Sequence, residues 1–211
     1  SGAGSADLEA SSSQYFSRTD ANLSSGFPGK SGETNKSFTI WAWVRGESFV
    51  PIATGGRGIM GKYDYANNKR QYHLSIREVS SGSGTYCFKG QLGYDNGTKG
   101  EEIAHASTIS TGIWYFAAMS YDESDNAWEI IVLDAQCRDV GSDAGGTATL
   151  DANGLSITDG VFTIGSLGNN HHFDGLIDKG GISNTVKTKS EIQAICGTTR
   201  RSRPGAILLG W

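Results

Sequence analysis

Charge is scarce in this chain. Lys and Arg number 18 and Asp and Glu 22, together 19% of 211 residues, with a formal net charge of −4. A protein that grips nucleic acid by neutralising phosphates needs a basic surplus, so that class of partner is excluded. No apolar run approaches the ~18 residues of a membrane helix, which excludes membrane insertion by a helix. The first residues, Ser1 to Ser5, have neither a charged start nor an apolar stretch. No signal peptide is expected there, and residues 1–6 read as a linker or tag remnant. Cysteine is also sparse: Cys87, Cys137 and Cys196 stand too far apart for a metal knuckle or a redox pair. Two arrangements stay open, three thiols buried as small apolar groups or one disulfide with one thiol left over. Glycine is the exception, with 30 residues, yet it follows no G-X-Y period, so collagen is excluded. The sequons at Asn22, Asn35 and Asn96 are no more than chance supplies in a chain so rich in Ser and Thr.

Helical periodicity is nearly missing, and strand-like runs separated by Gly, Ser, Asn and Asp take its place. In the run Lys36 to Arg45, Phe38, Ile40, Ala42 and Val44 alternate with Thr39, Trp41, Trp43 and Arg45. Further strands are expected at 58–63, 71–77, 85–94, 103–106, 114–121, 127–134, 161–165 and 173–182. The polar run Asp122 to Asn126 lies between two of them and reads as a hairpin. Thr188 and Glu191 form a capping box ahead of Ile192, Ile195 and Cys196, which predicts one short helix stopping at Gly197. The expected architecture is all-β, a two-sheet antiparallel sandwich closed by that helix. The domain is expected over residues 7–197. Residues 198–211 are then a tail whose apolar end pairs along a sheet edge.

Several local motifs fall in a familiar order. Ser37-Phe-Thr-Ile-Trp-Ala-Trp-Val44, Ile59 to Tyr63, Thr111 to Asp122, Phe162 to Gly165 and Phe173 to Asp178 follow one another along the chain. Together they resemble the laminin-G-like (LamG-type) jelly-roll domains of the concanavalin A-like lectin/glucanase superfamily. The resemblance runs from about Leu8 to Ile195 and implies a concanavalin A-like jelly roll. It also implies a lectin-like, non-catalytic module within a larger extracellular, cell-surface or virion protein. Its partner would be a glycan or a protein ligand on a surface. The alternative from another class is a structural or oligomerising domain of a viral or surface assembly, with a polysaccharide-active enzyme of glucanase type third.

Catalytic signatures are missing. No Gly-x-Ser-x-Gly elbow and no His-Glu-x-x-His helix occurs. Superfamily glycosidases carry paired carboxylates on one strand, close enough for retaining chemistry. The nearest run here, Glu123 to Glu129, has one residue too many and begins in a turn. The expectation is therefore no enzyme.

For ligand binding, Trp41 occupies a slot that is usually small or polar in the family, on the face of its strand opposite the core. With Tyr65, Asn67 and Asn68 it is expected to form a glycan patch, since aromatic faces stack on sugar C–H surfaces. The competing expectation is that loops such as 26–32 fold over Trp41 and Trp43 as a secondary core. His171 and His172 are candidate ligand contacts in the loop before the Phe173 strand. His73 and His105 lie within strands with no partner visible in sequence. Calcium needs six to eight oxygens. If the domain holds that ion, Asp64, Asn68, Asn169 and Asp174 are the expected ligands.

Overall fold

The computed structural model describes residues 5–50, 55–168 and 170–199. Twelve strands, one α-helix and two single-turn 3-10 helices (Ala10–Ser12 and Asp20–Asn22) occur among them. They are β1 (Ala6–Leu8), β2 (Phe16–Arg18), β3 (Phe38–Gly46), β4 (Arg57–Asp64), β5 (Lys69–Glu78) and β6 (Tyr86–Tyr94). After these come β7 (Lys99–Ala104), β8 (Tyr115–Tyr121), β9 (Ala127–Leu133), β10 (Ala144–Thr147), β11 (Phe162–Ile164), β12 (Gly175–Ser183) and α1 (Lys189–Thr199). Two six-stranded antiparallel sheets result, ordered β1-β12-β3-β8-β9-β10 (sheet 1) and β2-β11-β4-β5-β6-β7 (sheet 2). The strands expected from the alternation are all present. The alternation did not reveal β1 and β2, each three residues long, or β10, whose Ala-Gly-Gly-Thr run carries no apolar alternation.

Period-two patterning decides which side of each strand is dry. Phe38, Ile40, Ala42 and Val44 of β3 face Tyr72, Leu74 and Ile76 of β5 across a single core. Ala117, Met119 and Tyr121 of β8 and Trp128, Ile130 and Val132 of β9 extend it. Phe38 stacks on Tyr72 with ring centroids 4.2 Å apart. Each such side chain stabilises the fold by roughly 1.5–3 kcal/mol when fully buried. The β8–β9 hairpin forms where Asp122 to Asn126 predict it. The Asp122 carboxylate accepts the Ser124 amide at 2.9 Å, and Asn126 takes a left-handed φ of 59°.

The odd residues of β3 and β9 and the even residues of β8 build a second cluster outside sheet 1. Trp43, Phe116, Ile131 and Leu133 are buried there beneath Ile192 and Cys196 of α1. The capping box forms as expected, with the Thr188 amide donating to Glu191 at 2.8 Å and the Glu191 amide to Thr188 Oγ1 at 3.3 Å. The helix runs two residues past the expected stop at Gly197, and Thr199 Oγ1 accepts a hydrogen bond from the Trp43 indole at 3.1 Å. A Cys137–Cys196 disulfide fastens α1 to the loop after β9, leaving Cys87 as a buried free thiol. Of the two cysteine arrangements left open, the structure adopts the second. The tail beyond Thr199, with its expected edge pairing, lies outside the described residues.

The open end of the sandwich is closed by the 19–33 and 155–160 loops. Lys62 is wholly buried there. Its ammonium donates to Asp20, to Gly29 O at 2.9 Å and to Thr158 O at 3.0 Å. Three donors meet three acceptors, so the charge is satisfied without water. Burial lowers the Lys62 pKa, opposed chiefly by the hydrogen bond to Asp20.

Candidate functional site

The outer face of sheet 2 carries a row of polar side chains on its central strands. On β5, Tyr72, Leu74 and Ile76 point inward, so His73, Ser75 and Arg77 point outward. His73 is flanked in register by Gly61 of β4 and Gln91 of β6, and Gln91 by Glu102 of β7. Glu102 is a hub. It accepts from Arg77, from Lys89 Nζ at 2.9 Å and from Gln91 Nε2 at 2.9 Å. Arg77 and Lys89 thus share one carboxylate, whereas Arg70, opposite Tyr63 in register, lies on the Tyr65 ring.

A cavity of about 470 Å³ opens over this row, within the usual size range of small-ligand sites. One wall is the β4–β5 turn. Asp64 accepts from the Asn67 amide at 3.2 Å and its Nδ2 at 2.6 Å, and Asn68 adopts a left-handed φ of 55°. These contacts hold Tyr65 out at the rim, 70% exposed, with the Arg70 guanidinium 4.1 Å from its ring centroid. The opposite wall is Leu167, Asn170 and His171. The His171 ring lies against Gly55, where a Cβ would come within 1.9 Å of it and where φ is +85°. Only glycine fits that position.

His73 forms the floor. It is 1% exposed, its ring meets Tyr63 edge-on at 4.3 Å, and neither ring nitrogen has a hydrogen-bond partner among the described residues. Burial, then the charge of Arg77 and the neighbouring His171, push its pKa down to about 3, so the imidazole is neutral. Burial also pushes the Tyr63 phenol up to about 12. Buried polar atoms are nearly always paired. The His73 imidazole is thus a neutral, dry ring beneath the cavity, its two nitrogens shielded from solvent.

The structure divides the residues expected to share a ligand. Tyr65 and His171 both line the cavity, with Asp64 beside them; Asn67 and Asn68 build the turn that presents Tyr65. Trp41 does not join them. It lies on sheet 1, its ring against Gly181 of β12, where a Cβ would fall 2.3 Å from it, and it packs on the cluster under α1. The expected Trp41 patch is therefore not assembled. A secondary core covers the two Trp residues, as the competing expectation had it, but α1 supplies the cover in place of the 26–32 loop. His172 turns away from His171, its ring 5.3 Å from that of Tyr15.

Nor do the expected metal ligands converge. Asp64 ends β4, whereas Asp174 is tied to Arg57 at the start of that strand at 4.0 Å, to Ser48 and to the Ala10 amide at 3.2 Å. Eight residues of strand put those ends roughly 23 Å apart. Asn169 lies outside the described residues. Among those described, one trio of acids, Asp7, Glu9 and Glu47, comes within cation-binding reach, and all three are exposed.

A laminin G family model, described as Concanavalin A-like lectin/glucanases superfamily, matches residues 19–193. The chain belongs to that superfamily. No curated protein sequence matches this superfamily member. Among solved structures it is similar to domain 4 of AbnA, an extracellular arabinanase from Geobacillus stearothermophilus, in complex with arabinotriose. That match has 17% identity and a TM-score of 0.59, covering 91% of this chain and 76% of the other. It is similar to the Ruminococcus gnavus IT-sialidase CBM40, with 13% identity, a TM-score of 0.56 and coverage of 92% and 97%. The enzymatically active domain of bacteriophage CBA120 tailspike protein 2 matches at 15% identity and a TM-score of 0.55. This chain spans 26% of that structure, and 84% of the chain is covered. At these identities the likeness is one of fold.

Proposed function

We propose that this domain is a non-catalytic carbohydrate-binding module whose ligand sits in the cavity between Tyr65 and His171. One observation carries the reading: an exposed Tyr ring and the polar side chains of Asp64, Arg77, Gln91, Asn170 and His171 line one concave cavity on the face of a rigid sheet. Sugar sites need that pairing, because a pyranose or furanose presents C–H faces to an aromatic ring and hydroxyls to fixed donors and acceptors. The arrangement does not supply hydrolysis. Retaining chemistry takes two carboxylates roughly 5–5.5 Å apart, and the one carboxylate lining this cavity, Asp64, already accepts two bonds from Asn67.

The Cys137–Cys196 disulfide supports an oxidising setting such as a secreted, surface or virion protein. Among the described residues no helix is long and apolar enough to cross a membrane.

The test is a glycan array probed with the wild-type domain and two variants. Tyr65→Ala is expected to weaken binding roughly tenfold, as loss of an anchoring aromatic does, and Trp41→Ala to leave it unchanged. Equal loss in both variants, or release of reducing sugar from a bound polysaccharide, would overturn the proposal.

A further inference from the structure

Charge is unevenly spread around the cavity, and its positive end bears on what kind of glycan it takes. We infer that the glycan is an acidic one, its carboxylate or sulfate group seated on the Arg77 guanidinium. This rests on the binding reading above and deepens it.

Two cations share one carboxylate at that end. Arg77 donates to Glu102 through Nη1, and Lys89 bonds the other Glu102 oxygen at 2.9 Å. Gln91 Nε2 donates to Glu102 as well, so three bonds already converge on it. One positive charge is left over, on side chains that are mostly buried. Charge held away from water without a counter-ion is costly, and an anion entering the cavity supplies one. Asp64, the carboxylate of the cavity wall, does not fill that role. It is engaged by Asn67, and it pairs in register with Lys69, at the other end of β5 from Arg77.

The donors are ready and held in place. Arg77 lines the cavity with its side chain 18% exposed. Its Nη2 has no partner among the described residues and is open to solvent, whereas its Nε is buried. Gly56 passes so close over the Arg77 stem that a Cβ there would fall 2.5 Å from Cγ, and its φ is +81°. The adjoining Gly55 bears on the His171 ring in the same way. Two successive glycines thus fix two lining side chains, Arg77 and His171. A guanidinium fixed beforehand loses less affinity to ordering than a loose side chain does. Tyr65, at the rim, remains the apolar platform for the sugar ring.

The experiment uses an array of neutral, uronate, sialylated and sulfated oligosaccharides, the last three separating carboxylate from sulfate. The wild-type domain is expected to bind within the acidic set, more weakly at roughly 0.5 M NaCl than at low salt. Masking the anion tests the contact without touching the protein. The methyl ester of a bound carboxylate ligand, or the desulfated form of a sulfated one, is expected to bind at least about tenfold more weakly. Arg77→Gln keeps a donor and removes the charge. It is expected to lose about tenfold in affinity for the acidic form and little for the masked form. Arg77→Lys should recover part of that loss. Thermal melts of both variants separate a binding defect from a folding defect.

Binding confined to neutral glycans, or equal affinity for the acidic and masked forms, would overturn the inference and leave the carbohydrate reading standing. Wild-type affinity for acidic glycans in a folded Arg77→Gln domain would overturn the role of Arg77. Should the array show no binding to any glycan, the carbohydrate reading falls and takes this inference with it.

Discussion

The helix on the outer face of sheet 1 is held by a single covalent link, and cutting that link has a calculable effect. Cys137 and Cys196 are 59 residues apart in the chain. Closing a loop of that length removes entropy from the unfolded ensemble worth about 4 kcal/mol at room temperature. Total stability for a domain of this kind is about 5–15 kcal/mol, so the link holds a large share of it. The perturbation is the Cys137→Ser, Cys196→Ser double variant, with reduction of the wild type as a second route to the same state. Urea denaturation followed by Trp fluorescence is a suitable assay. Trp43 packs under α1 and bonds Thr199, so its emission reports directly on the helix. The expected outcome is a midpoint lowered by the equivalent of about 4 kcal/mol, with the m-value little changed or slightly raised. Cys87 supplies an internal control. It is buried, and burial raises its thiol pKa, so it should react with a thiol reagent only on unfolding. Coincident urea curves for oxidised and reduced protein, or three titratable thiols in the native oxidised protein, would refute the reasoning.

Three other outcomes are expected. His73 is neutral in the folded protein with a pKa of about 3, against an ordinary value of 6.5. Between those two values the unfolded chain binds the extra proton, so stability falls as pH drops below 6.5. The loss between pH 7 and pH 5.5 should be on the order of 1 kcal/mol; His73→Phe should remove that portion of the slope in denaturation curves taken at the two pH values. Asp20→Ala leaves the wholly buried Lys62 ammonium with carbonyl partners alone. It should cost about 3–5 kcal/mol in urea titration, and a loss under 1 kcal/mol would make the pair a bystander. Calcium is expected to leave ligand affinity unchanged, because Asp64 is engaged by Asn67 and Asp174 by Arg57, Ser48 and Ala10. Calorimetric titration with and without millimolar Ca²⁺ checks this.

The two faces of one strand show why the fold was legible in the sequence and the site largely was not. In β3 the alternation of Phe38, Ile40, Ala42 and Val44 with Trp41 and Trp43 states that two faces exist and that one is core. Period two cannot state what lies over the other face. Here it is α1, drawn in by the disulfide and by Ile192, a contact made across more than half the chain. Trp41 therefore carried the sequence signal of an exposed aromatic and the structural role of a half-buried packing residue. In β5 the opposite happened. His73 and Arg77 alternate with Tyr72, Leu74 and Ile76, a pattern that reads as an ordinary wet face. Their significance comes from position, because β5 is central in its sheet and its outward row is walled in by the 64–66 turn and the 167–171 loop. Tyr65 and His171 were legible as loop residues with binding chemistry. The floor beneath them was not, since a strand histidine signals nothing until its neighbours in register, Gly61 and Gln91, are known. A signal was nonetheless present: polar outward residues with no partner along their own strand, on a segment apolar enough to sit mid-sheet. His73 ends up dry because Tyr63 of the neighbouring strand packs edge-on against its ring, a contact that only the register of β4 on β5 creates.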